Sequence, residues 1–205
     1  MSSVDDFLAR VEEVARLVDR PPIERIVERL VEVRDARGRL FMLGVGGSAA
    51  NASHAVNDFR KLCGIEAYTP ADNVSELTAR TNDDGWETTF EAWLRTSNLS
   101  ERDAVFVLSV GGGDAERGVS ANLIRAIDLA KARGAAVLGI VGRDGGHTAR
   151  VGDAVAIVPT VDATLLTPIA ESFQSVILHT IVSHPLLAQG EAKWEGLASA
   201  AESPA

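Results

Sequence analysis

His54 and Asp58 stand four residues apart, a spacing that on a helix puts an imidazole and a carboxylate on one face, one turn apart. Farther along, Glu171, Gln174 and His179 share one segment of helical periodicity, with Glu171 and His179 about 80° apart around its axis. Two helices can therefore offer imidazoles and carboxylates to a single pocket. Such groups hold zinc through nitrogen and oxygen donors. They can equally act as general acid and base, moving a proton beside a carbonyl. Spacing alone leaves both chemistries open.

Two glycine-rich loops accompany these residues. Gly44-Val45-Gly46-Gly47-Ser48 follows an apolar run and precedes the segment that carries His54. The amides of Gly46 and Gly47 and the Ser48 hydroxyl can face an anion at a helix start, where the helix dipole is positive. No Gly-Lys-Ser/Thr follows, so this is no Walker A loop, and the dinucleotide spacing Gly-x-Gly-x-x-Gly is absent. The second loop, Ser109-Val110-Gly111-Gly112-Gly113-Asp114, can present one hydroxyl and the amides of Gly111 and Gly112. Asp114 reads as the N-cap of a following helix. An ionised Asp114 aimed at a phosphate would instead repel it. Cys63 reads as a small packing residue. His147 reads as structural, and His184 as a complement to a helix end.

The elements that must position these residues alternate. Apolar runs at Leu40 to Leu43, Ala104 to Leu108, Ala136 to Val141 and Ala154 to Val158 read as buried parallel strands. Helical segments separate or follow them, at about Ala49 to Leu62, Ala115 to Arg133 and Leu165 to Val182. Ala71 to Leu94 reads as mostly helical, with a turn at Asn82-Asp83-Asp84-Gly85 in its middle. The pattern is that of a doubly wound, Rossmann-like α/β fold: a parallel sheet of about five strands with helices on both faces. Residues 1–38 form an N-terminal pair of helices divided at Pro21-Pro22, belonging to the same domain. Residues 39–188 form the sheet domain, and 189–205 a tail expected to fray.

The chain has 205 residues, 46% of them hydrophobic, enough for one domain with a buried core. Its net charge of −9 comes from 29 acidic and 20 basic side chains, which argues against a nucleic-acid surface. With one cysteine, neither an intrachain disulfide nor a thiolate metal cluster can form. The N-terminus lacks a basic, apolar export pattern. No apolar stretch is expected to reach the length that crosses a bilayer. These features lead to the expectation of a cytoplasmic protein without membrane partners.

The run Gly44 to His54 resembles the signature of bacterial phosphoheptose isomerases, Gly-Asn-Gly-Gly-Ser-x-Ser-Asp-Ala-x-His, within the sugar isomerase (SIS) superfamily. The resemblance extends through Asn82-Asp83, the Ser109 loop and His179, from about Val4 to Pro185. It implies an aldose–ketose isomerase acting on sedoheptulose 7-phosphate, with D-glycero-D-manno-heptose 7-phosphate as product, or on a close sugar phosphate. It also implies a zinc-bearing homotetramer with active sites between subunits. Carried onto this sequence, the acid/base pair is Asp58 and His179, and the zinc ligands are His54, Asp58, Glu171 and His179. Substrate and phosphate contacts fall to Gly46, Gly47, Ser48, Asn82, Asp83, Ser109, Gly111 and Gly112. The sequence departs from the family at Val45, Ala50, Asp58 and Glu171. It departs again in the second loop, where the family reads Ser-Thr-Ser-Gly-Asn-Ser and two phosphate serines are missing. The alternative implied by those departures is a non-catalytic SIS module, a sugar-phosphate sensor or an adaptor.

Overall fold

The computed structural model describes residues 3–190. Two helices open the chain, α1 (Ser3–Leu17) and α2 (Pro21–Asp35), and the second starts on the proline pair. The remaining elements are β1 (Arg39–Leu43), α3 (Gly47–Leu62), β2 (Glu66–Tyr68), α4 (Val74–Asp84), α5 (Thr89–Thr96) and β3 (Ala104–Ser109). After them come α6 (Ala121–Ala132), β4 (Ala136–Val141), α7 (Gly146–Val151), β5 (Ala154–Ile157) and α8 (Leu166–Val182). The five strands lie in the order β2-β1-β3-β4-β5, and every pairing is parallel.

Alternation along the strands divides the core in two, because successive side chains point to opposite faces. Leu40 and Met42 of β1, with Ala104, Phe106 and Leu108 of β3, pack under α2, α3 and α8. Phe41 and Leu43, with Val105 and Val107, pack under α5 and α6. The winding reverses between β1 and β3, which are hydrogen-bonded neighbours. Ligands of such sheets bind beyond the carboxyl ends of the strands at this reversal. Both glycine loops leave the sheet there.

The opposite end is tied by charge. Asp103, just ahead of β3, accepts from the Arg39 amide at 2.9 Å and from the Arg39 guanidinium at 2.8 Å. It also accepts from the Ser100 amide and hydroxyl, at 2.8 and 2.9 Å. Burial alone would raise the pKa of Asp103, but these donors hold it below the ordinary carboxylate value.

Three expectations need correction. The helix assigned to Ala115 to Arg133 starts only at Ala121. Residues before it fold into a small hairpin closed by an antiparallel bridge between Asp114 and Val119. Asp114 is therefore not the cap of α6. Its carboxylate accepts from the Arg117 amide at 3.1 Å and pairs with the Arg117 guanidinium at 3.5 Å. Second, the turn expected at residues 82–85 falls at its end, for α4 runs through Asp84 and breaks at Gly85. Third, Ala163–Val182, 20 residues long with a mean hydropathy of 1.3 over its most apolar 18, does have the length and composition of a membrane-crossing helix. Its hydropathy is spent on the core: Ile169, Phe173, Ile177 and Ile181 are buried against the sheet. The tail beyond Gly190 lies outside the described residues.

Candidate active site

The first loop delivers Ser48 into the opening turn of α3 rather than ahead of it, since the helix begins at Gly47. Ser48 is 2% exposed, and its hydroxyl accepts from the Gln174 amide of α8 at 3.0 Å. The Gln174 carbonyl accepts from Asn51 at 3.0 Å, while Ser175 donates to the Asn51 carbonyl at 2.9 Å. This buried relay fixes α3 against α8, so chemical groups on the two helices keep one relation to each other.

One and two turns farther along α3, the helices bring three donors together. His54 Nε2 lies 3.1 Å from His179 Nε2 and 3.2 Å from Asp58 Oδ2, and His179 Nε2 lies 3.6 Å from the same oxygen. Asn57 donates to the other oxygen of Asp58 at 3.0 Å, which turns Oδ2 toward the two imidazoles. A tetrahedral zinc site with bonds of ~2.0–2.1 Å has edges of ~3.3 Å. The observed separations bracket that edge, so the donor set fits zinc by chemistry and by spacing. The side chains of His54 and His179 are 55% exposed, against 13% for Asp58. The cluster thus opens outward, with room for a substrate or a neighbouring chain.

Glu171 occupies a different place. Its carboxylate rests on Gly47, so closely that a Cβ at position 47 would collide with it. Asn51 also donates to the Glu171 carbonyl at 2.9 Å. It joins the three donors only by swinging away from Gly47. Asn82 and Asp83 stand exposed on the last turn of α4, Asn82 donating to Asp83 at 2.7 Å, and neither lines the pocket described next.

That pocket has a volume of about 370 Å³ and opens between the two loops. Ser48, Ser109 and Gly111 line it, along with Val45 and Val110. Ser120, Val119, Arg143 and Leu166 line it too, and sequence reasoning missed all four. The missed serine heads α6 in a left-handed conformation, φ 54°, because the hairpin of residues 114–119 returns the chain to the pocket mouth. A Ser-Ala-Asn run ahead of helical periodicity was the available signal, and Asp114 masked it as the apparent cap. Ser109 is 7% exposed and accepts from the Gly112 amide at 3.0 Å. Gly112 serves packing more than ligand binding. Its φ is 69°, a Cβ there would overlap the Gly145 carbonyl, and its own carbonyl accepts from Thr148 Oγ1 at 2.8 Å. The remaining histidines have structural partners, His147 with Asp128 at 2.7 Å and His184 with Glu24 at 3.4 Å.

One helix, α3, joins a hydroxyl-lined pocket to a histidine–carboxylate cluster. The SIS domain family model matches residues 3–142. The phosphoheptose isomerase of Trichlorobacter lovleyi is 30% identical over 174 residues, covering 82% of each chain. The chain belongs to the phosphoheptose isomerase family of SIS-domain proteins. It is a sugar-phosphate isomerase by class. Lincomycin biosynthesis protein LmbN of Streptomyces lincolnensis is 34% identical over 77% of this chain, which spans only 57% of that relative's length. Among solved structures, phosphoheptose isomerase GmhA of Neisseria gonorrhoeae aligns with a TM-score of 0.74 at 24% identity, over 87% of this chain and 94% of that one. At that identity the likeness speaks for the shared fold alone.

Proposed function

We propose that this chain interconverts the ketose and aldose forms of a seven-carbon sugar phosphate. Sedoheptulose 7-phosphate and D-glycero-D-manno-heptose 7-phosphate are the pair the family resemblance points to. The observation that carries the reading is the convergence of His179 of α8 with His54 and Asp58, both on the helix that begins at the Ser48 loop. The six residues from Ser48 to His54 advance about 9 Å along α3, a span that an extended sugar chain crosses more readily than a triose.

The phosphate is held by the Ser48, Ser109 and Ser120 hydroxyls and the amides of the glycine loops, which leaves the carbonyl end at the cluster. One of Asp58 and His179 takes the proton from the carbon beside the carbonyl. The other carries the proton between the two oxygens, through an enediol-like intermediate. His54 lies within hydrogen-bond distance of both and orients them. Zinc, held by His54, Asp58 and His179 with Glu171 as a further donor, supplies Lewis-acid polarisation of the sugar oxygens when bound. A lone pair given to the metal is withheld from a proton, so metal content and activity are to be measured on the same preparation.

The resemblance further leads us to infer a homotetramer with sites between subunits, in a reducing cytoplasm. The outward opening of His54 and His179 supports the assembly.

The test is His179→Ala. This side chain is half exposed, so its loss should leave the unfolding temperature unchanged while turnover of sedoheptulose 7-phosphate falls by about 100-fold or more. Full activity in that variant would show that proton transfer does not pass through this cluster.

A further inference from the structure

Arg143 is the one charged residue lining the pocket between the loops. The other polar side chains there are Ser48, Ser109 and Ser120, and the lining contains no carboxylate. Its position is unusual for a surface arginine. It sits in the turn after β4 with φ 53°, a left-handed conformation that costs a non-glycine residue about 1 kcal/mol or more. The turn is fastened to the second loop, since the Gly142 amide donates to the Ser109 carbonyl at 3.3 Å. From there the Arg143 side chain reaches over Gly111, with its Cδ and Nη1 both 3.8 Å from where a Cβ at position 111 would lie. These are ordinary van der Waals distances, so the side chain lies along the second loop.

Arg143 is also unspent. On its other side it borders a hollow of about 540 Å³ that contains Asp114, Glu116 and Asp144. None of these carboxylates pairs with it: Asp114 is taken by Arg117, and Asp144 accepts from the Gly146 amide in its own turn, at 3.3 Å. Among the described residues, Arg143 has no hydrogen-bond or ion-pair partner. A guanidinium held by a strained turn, next to three hydroxyls and without a direct ion-pair partner, matches the geometry and charge of a dianionic phosphate monoester.

We propose that Arg143 is the specificity-determining residue for the phosphate group, the cation by which this enzyme prefers a phosphorylated sugar to the free one. The proposal rests on the sugar-phosphate reading given above and adds to it the residue that enforces the phosphate. In a chain of net charge −9, this local cation supplies the positive potential that the overall field opposes.

The experiment measures binding of inorganic phosphate, sedoheptulose 7-phosphate and unphosphorylated sedoheptulose to wild type, Arg143→Gln, Arg143→Lys and Arg143→Gly by calorimetric titration. Turnover of the two sugars is measured alongside. Loss of one charge-assisted contact should raise Kd for both phosphate-bearing probes about ten-fold or more in the Gln and Gly variants. Lys should recover most of the affinity, and binding of free sedoheptulose should not change. Salt should shrink the difference between wild type and Gln. Arg143→Gly relieves the left-handed strain and should unfold no earlier than wild type, so its loss of binding cannot be assigned to misfolding. Equal phosphate affinity in wild type and both uncharged variants overturns the proposal, and so does a wild type that binds neither phosphate probe. If wild type turns over no ketose phosphate yet the uncharged variants lose phosphate binding, Arg143 keeps its role and the isomerase reading fails. If wild type isomerises the sugar phosphate and Gln does so with unchanged affinity, only the role of Arg143 fails.

Discussion

Ser120 holds its hydroxyl at the pocket mouth on a left-handed residue, while Asp114 keeps its carboxylate on Arg117, outside the pocket lining. A hydroxyl facing a phosphate contributes a charge-assisted hydrogen bond, and a carboxylate that is turned away and paired repels it little. Ser120→Ala should therefore weaken phosphate binding about ten-fold, whereas Asp114→Asn should change it by no more than about two-fold. Titration with inorganic phosphate checks both, and a large gain in affinity from Asp114→Asn would place that carboxylate back at the anion. At this scale the pairing of His54 with Asp58 was legible beforehand, because helical spacing sets which residues of one element share a face, and His179 was legible through the family resemblance. Ser120 and Arg143 were not. They reach the pocket through a hairpin and a turn, whose paths depend on contacts between segments distant in sequence. Cys63 needed no such contact to be read: it is fully buried, and burial pushes its thiol up to about 11, as expected of a packing residue.

Among the elements, β1 and β3 carry both the site and its foundation, with the glycine loops at one end and Asp103 at the other. Asp103 binds the Arg39 amide and guanidinium and the Ser100 amide and hydroxyl, and so joins the starts of both strands. Its folded-state pKa is depressed, so the stability it contributes is fully present above the ordinary carboxylate value near ~4 and is lost as pH falls through the folded value. Asp103→Asn should cost about 2–4 kcal/mol at pH 7, and the gap to wild type should narrow at pH ~3. Urea midpoints at the two pH values measure this, and a gap that widens in acid would mean the group is not ionised in the fold. The strands around Asp103 could be read from their apolar runs. The late start of the helix assigned from Ala115 could not, because nothing local distinguishes a hairpin from a first helical turn when both begin at Asp114. Likewise the apolar length of α8 is compatible with a membrane or a core, and only its packing over the sheet shows that Ile169, Phe173, Ile177 and Ile181 are satisfied within the chain.

For the whole molecule, the open side of the active site is the main consequence of the fold. The imidazoles of His54 and His179 are half exposed, Val176 on the same helix is exposed, and α1 presents Val4, Leu8 and Leu17 to its surroundings. Burial of these side chains is favourable at about 1.5–3 kcal/mol for each one fully covered. The homotetramer inferred from the family resemblance predicts four times the mass of one chain in light scattering, and Leu8→Glu together with Leu17→Glu should lower that mass. A single-chain mass for the wild type would refute the assembly and leave the cluster open to water. What the sequence determined by itself was periodicity and local chemistry: the alternation of strands and helices, the glycine loops, and the residues of α3 and α8 able to move a proton. Those follow from the geometry of single elements. Tertiary structure decided which loops meet at the β1–β3 reversal, that Glu171 lies on Gly47, that Asp114 is turned aside, and that Arg143 and Ser120 line the pocket between the loops. These depend on where separate segments cross in space, and no spacing along the chain encodes that directly.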